Sequence, residues 1–207
     1  MLVGIDFDNT IVCYDQLFHR VAVERGLIAP EVPVSKGKVR DHLRQSGRED
    51  VWTELQGYVY GARMPHAHPF PGVLQFFRRC KERGLTVCII SHKTRLPFQG
   101  PVYDLHQAAH AWLESQGFYD PSGIGLSPHQ VYFEMTKQAK LERIAKVGCS
   151  HFIDDLPEFL AEPGFPAEVE RILFDPNADH AAAHHCYRVS SWTDIAETLM
   201  AGRSPWP

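Results

Sequence analysis

No apolar run in this 207-residue sequence approaches the about 18 residues that a bilayer-spanning helix needs, so membrane insertion is not expected. There is no CxxC pair. The five cysteines (Cys13, Cys80, Cys88, Cys149 and Cys186) lie far apart and are odd in number, which argues against a disulfide framework and reads as reduced thiols in a cytoplasmic protein. There is no excess of positive charge. The formal net charge is -4, which disfavours a nucleic-acid backbone as partner while leaving room for a local basic patch. The N-terminus is apolar for only a few residues before Asp6, which is not a signal-peptide pattern. Internal repeats and low-complexity tracts are also lacking. Nothing in the sequence speaks to oligomeric state.

What is present is an ordinary soluble composition, 44% hydrophobic and 22% charged, of a length that suits one domain with a small insertion. Short apolar runs predict strands at 2–7, 85–90, 130–133, 151–153 and 171–174. Helical patterns fill the gaps at 72–84, 105–117, 137–148 and 191–200, with Gly84, Gly117 and Gly148 at their ends and Ser191 as a candidate N-cap. Alternating strands and helices predict an α/β fold: a Rossmann-like parallel sheet with helices on both faces. Roughly 55 residues after the first strand break this rhythm with three helical stretches, near 16–26, 35–46 and 49–62. So long a segment needs structure of its own, which predicts a small α-helical cap insert. The expected division is 1–14 with 69–207 as the core and 15–68 as the cap. The last residues, 204–207, are expected to fray.

In a parallel sheet, ligands sit beyond the carboxyl ends of the strands. Three predicted strands end there on polar residues: Asp6 and Asp8, then Ser91-His92-Lys93-Thr94, then Asp154-Asp155. A helix opening at Lys137 adds a cation. Carboxylates packed together stay ionised only beside a cation. An all-oxygen donor set suits Mg²⁺, which keeps several waters and leaves room for a phosphate.

These residues carry a family resemblance. Asp6-Phe-Asp8-Asn-Thr10 after an apolar strand resembles the DxDx[TV] motif of the haloacid dehalogenase (HAD) superfamily of phosphohydrolases. Ile89-Ile90-Ser91 resembles its second motif, Lys137 its third-motif lysine, and Phe152-Ile-Asp154-Asp155 its acidic fourth motif. The four occur in family order from residue 6 to residue 155. The resemblance implies a Mg²⁺-dependent phosphatase acting on a small phosphorylated metabolite. Asp6 would be the nucleophile forming an aspartyl-phosphate, and Asp8 the general acid and then base, with the Asp8 backbone carbonyl on the metal. Ser91 and Lys137 would hold phosphoryl oxygens. Asp155 would be the direct metal ligand and Asp154 a ligand through water, an order that could be reversed. An acid at Asp8 favours phosphate esters over halides, since a halide leaving group needs no proton. Lys36 and Lys38 in the cap leave a phosphonate-cleaving branch open.

Asn9, Thr10, His92 and Lys93 are further candidate substrate contacts beside the motifs. Lys140, one turn after Lys137, is the alternative third-motif cation. The cap has a basic cast from Lys36, Lys38, Arg40, Arg44, Arg48 and Arg63, of which Arg40 and Arg44 are candidates for an anionic substrate. Trp52, Tyr58 and Tyr60 read as the cap's own small core, with an aromatic wall over a sugar or base as the other reading. His66 and His68 read as a cap hinge, and His180, His184 and His185 as a solvated turn, with no second ligand cluster to support a metal. A scaffold that keeps the fold without turnover, and a phosphotransferase using the same residues, are the competing functions. A scaffold has no need of Asp8.

Overall fold

A computed structural model describes residues 1–180 and 185–200. Contacts divide the chain into two compact units: Met1–Ile11 with Pro69–His92 and Gly117–Pro207, and Val12–His68 with Lys93–Gln116.

The first unit is built on six parallel strands: β1 (Leu2–Ile5), β4 (Thr86–His92), β5 (Val131–Glu134), β6 (His151–Asp154), β7 (Glu170–Phe174) and β8 (Tyr187–Val189). Their spatial order is β5-β4-β1-β6-β7-β8, and every pairing is parallel. β1 sits in the middle because the chain fills one side of it with β4 and β5, then crosses to the other side for β6 to β8. Such a reversal is where parallel sheets open a crevice at their carboxyl ends. Ile5 lies opposite both Ile89 and Ile153, so Asp6 follows level with Asp154 at the end of β6 and with Ile90, two residues before the end of β4.

Apolar side chains on both sides of the central strands call for a helix layer on each face. On one face α6 (Lys137–Val147) and α7 (Pro157–Leu160) pack with Cys88, Ile90, Phe152 and Leu173 in a continuous buried cluster. On the other, α4 (Val73–Glu82) and α8 (Trp192–Met200) meet around aromatic rings: Trp192 lies 5.0 Å from Phe76 and 5.7 Å from Phe174. Gly4 is required by close approach. A Cβ there would stand 2.6 Å from the Phe152 ring and 2.7 Å from Cys149 Sγ.

The second unit is helical, with α1 (Asp15–Glu24), α2 (Lys36–Gln45), α3 (Glu49–Tyr60) and α5 (Leu105–Ser115). The three helices expected between 16 and 62 are therefore present within two residues at each end. Trp52 packs 5.1 Å from Phe18, and Tyr60 stands edge-on to Tyr14 and Phe18, so these rings form the unit's own core.

Residues 93–116 depart from the sequence-based division, which gives them to the core. α5 packs with α3 and with the short 3₁₀ turn Met64–His66. Trp112 Nε1 donates to the Ala67 carbonyl at 3.0 Å, and Gly57 makes room for Pro97, which a Cβ would meet at 2.6 Å. The helix was foreseen, but its partner depends on side chains distant in sequence. β2 (Val12–Cys13) and β3 (His68–Pro69) form a two-residue ladder in a segment expected to hold no strand. β8 was likewise not foreseen, being three residues long. Residues 204–207 lie outside the described residues, as does His184 of the histidine-rich segment.

Candidate active site

β1 delivers Asp6 to the carboxyl edge, where it is 5% exposed and its backbone N–H donates to the Ile153 carbonyl at 2.9 Å. The chain then turns sharply. Ile11 N–H donates to the Phe7 carbonyl at 3.0 Å, and Asn9 takes a φ of +61°, a left-handed conformation that Asn tolerates better than most residues. Thr10 is fully buried. Its hydroxyl donates to Asp155 Oδ1 at 3.4 Å, and its carbonyl accepts from Trp192 Nε1 at 3.2 Å. Asn9 thus shapes the turn and Thr10 hydrogen-bonds Asp155, structural roles beside the substrate contacts that the sequence suggested for both.

β6 ends on Asp154, which has no exposed surface. Its Oδ1 accepts from Leu156 N–H at 2.9 Å and its Oδ2 from Lys140 Nζ at 2.6 Å. The same ammonium donates to Asp6 Oδ1 at 2.6 Å. The third-motif position is where geometry departs from the favoured sequence reading: Lys137 is exposed, while Lys140 is 3% exposed and joins the two carboxylates. Thr136 caps α6 by accepting from Ala139 N–H at 3.0 Å, so Lys137 occupies the first helical position. It lies about 4.5 Å nearer the start of the helix than Lys140, at 1.5 Å per residue. Lys140 is the residue whose ammonium reaches Asp6 and Asp154 at the strand ends. Leu141 and Ile144 are buried with it, but they stand four and seven residues after Lys137, so the apolar spacing alone does not single out Lys140.

Ser91 lies one residue from the end of β4 and is 1% exposed. His92 ends the strand opposite Glu134. Partial burial holds its pKa below the ordinary value, and the charges of Lys140 and Lys137 add to this. Lys93 belongs to the helical unit, where it is buried with its ammonium 4.8 Å from the Tyr60 ring centre. In the same unit Arg40 pairs with Asp41 at 2.9 Å, and Arg44 makes a two-pronged pair with Glu49 at 2.6 and 2.8 Å. Both candidate anion contacts are matched by local carboxylates.

One ammonium does not balance this acidic edge. Burial pushes the Asp6 carboxyl up to about 7, against the pull of Lys140, and Asp154 and Asp8 push the same way. Burial opposes the charge on Lys140, yet the Asp154 and Asp6 carboxylates outweigh it and hold the amine firmly protonated. Asp6, Asp154 and Asp155 each offer an oxygen within 4.8 Å of the others. Three hard oxygen donors with surplus negative charge fit a divalent cation.

No family model and no curated protein matches the chain. Solved structures do. A haloacid dehalogenase-like protein of unknown function from Agrobacterium tumefaciens matches over 97% of both chains, at TM-score 0.59 and 15% identity. A HAD-family hydrolase from Deinococcus radiodurans, solved with phosphate and sodium bound, covers 97% of this chain and 95% of its own at TM-score 0.57 and 16% identity. This chain has the haloacid dehalogenase fold. A magnesium-bound HAD hydrolase from Bacillus subtilis shares it at TM-score 0.51 and 10% identity over 98% of both chains. Within this HAD fold, the acidic edge, Ser91 and Lys140 occupy the carboxyl ends of the central strands.

Proposed function

We propose that the protein is a phosphatase that hydrolyses a small phosphorylated metabolite through an aspartyl-phosphate on Asp6. The observation that carries this reading is the Lys140 ammonium, 2.6 Å from both Asp6 and Asp154 at the buried carboxyl edge beside Asp155. A carboxylate buried there has a use for its charge if it attacks phosphorus, and the lysine keeps one of its oxygens in a fixed direction.

In this reading an Asp6 oxygen attacks phosphorus as the ester P–O bond breaks, and the Asp8 carboxyl gives its proton to the departing alkoxide. A water then loses a proton to Asp8 and attacks phosphorus, breaking the Asp6–phosphorus bond and releasing phosphate. Ser91 would donate a hydrogen bond to a phosphoryl oxygen. Thr10 orients Asp155, and Leu156 N–H with Lys140 fixes Asp154. Asp6, Asp155 and the Asp8 carbonyl would hold Mg²⁺, with Asp154, whose two oxygens already accept hydrogen bonds, acting through a water. When bound, the ion neutralises the acidic edge and the charge on the transferring phosphoryl group. Asp8 favours this reading over dehalogenation, because only an alkoxide leaving group needs its proton.

The test is hydrolysis of 4-nitrophenyl phosphate with Mg²⁺, beside Asp6→Asn and an EDTA control. Activity is expected for the native chain alone. Turnover that persists in Asp6→Asn sinks the nucleophile assignment, and inactivity across a panel of phosphorylated sugars, nucleotides and acids favours a scaffold.

A further inference from the structure

The Lys140 ammonium has three N–H donors. Asp6 Oδ1 and Asp154 Oδ2 take two of them. The nitrogen also lies over the Phe159 ring, 4.1 Å from its centre, with the Phe152 ring at 5.3 Å. Both rings are buried, at 1% and 0% exposure. Phe159 is itself held: Phe152 and Phe165 stand 6.1 and 5.8 Å from it, and the Phe152–Phe165 pair closes the triangle at 6.1 Å. Arg171 packs on the outer member, its guanidinium 4.6 Å from the Phe165 ring centre, and donates to the Leu160 carbonyl at 2.8 Å. The chain reaches this ring directly from the acidic motif, since α7 starts at Pro157 just after Asp154-Asp155-Leu156.

A buried ammonium is attracted to the negative face of an aromatic ring, and most strongly where water is absent. A lysine stem has four rotatable bonds, so two carboxylates alone leave it other ways to point. We propose that Phe159 is a positioning residue: its π face fixes the Lys140 ammonium between Asp6 and Asp154 and so presents the attacking Asp6 oxygen in one direction. Phe159 touches neither carboxylate in this role and acts only through Lys140. The packing seen on Phe152 and Phe165 would be kept by any apolar side chain of similar size, whereas the electrostatic part belongs to the ring face.

The kinetic arm rests on the phosphatase reading above; the spectroscopic arm does not. In the kinetic arm, Phe159 is replaced by mono-, di- and trifluorophenylalanine, which keep the ring's shape while draining its negative face. With 4-nitrophenyl phosphate and Mg²⁺, kcat is expected to fall stepwise, by about tenfold at three fluorines, with KM little changed. Phe159→Trp should retain more activity than Phe159→Leu. A flat kcat across the fluorinated series, with unchanged melting temperatures, overturns the proposal. In the spectroscopic arm, the Lys140 ammonium is observed by ¹H–¹⁵N NMR in the native protein without added metal. A slowly exchanging signal, shifted upfield by the ring current and returned toward normal in Phe159→Leu, is expected. Its absence from the native protein overturns the proposal even if no variant folds. If the native protein hydrolyses no phosphate ester, the phosphatase reading fails, and the NMR signal alone decides whether the clamp exists.

Discussion

Replacing Lys140 with methionine keeps an apolar stem against Phe159 and removes the one charge that Asp6 and Asp154 share. The expected result is a loss of kcat of about 10²–10³, the size found when one preorganised electrostatic donor is deleted. Lys137→Ala should stay within about twofold, because an exposed lysine contributes little that solvent does not replace. Steady-state kinetics of the two variants checks this, and equal losses would return the third-motif role to Lys137. Asn9 offers a second residue-level test. At φ +61° alanine should cost about 1–2 kcal/mol and glycine much less, read from urea midpoints. The motif pattern in the sequence marks Asp6, Asp8, Ser91 and Asp154-Asp155 by type and order. It does not separate two lysines three residues apart, because both lie on a helix whose height over the sheet is set by packing.

Among the elements, β1 is held on both edges and tightly packed at Gly4. It is flanked by β4 and β6 and covered on one face by Phe152 and Cys149, which press into the space a Gly4 side chain would need. Gly4→Ala is expected to destabilise the protein by about 1–3 kcal/mol, the usual cost of forcing volume into a packed core. The lowered urea midpoint is expected with Mg²⁺ present or absent, since the clash is with core side chains. The apolar runs foretell five of the six strands of the sheet, because a strand buried on both faces writes itself as a continuous apolar stretch. β8 and the β2–β3 ladder are too short to leave such a trace.

For the molecule as a whole, a cation held at the acidic edge would add to folding stability. A ligand that binds only the folded state at a hundred times its Kd adds about 2.7 kcal/mol, or roughly 5–10 °C for a chain of this size. Mg²⁺ should therefore raise the melting temperature, EDTA should reverse the rise, and Asp155→Asn should abolish most of it. A rise that survives Asp155→Asn would move the principal ligand role to Asp154. Differential scanning fluorimetry across a magnesium series makes the comparison.

By itself the sequence determined the class of the fold, the helical insert and the acid types gathered at one sheet edge, since periodicity and strand-end chemistry are local and survive without knowledge of partners. Only the tertiary structure decided that 93–116 packs with the helical unit, that Thr10 serves Asp155, and that Lys140 lies between two carboxylates over Phe159. Each of these depends on contacts between residues far apart in the chain or on the height of a helix above the sheet, and no spacing along the sequence fixes either.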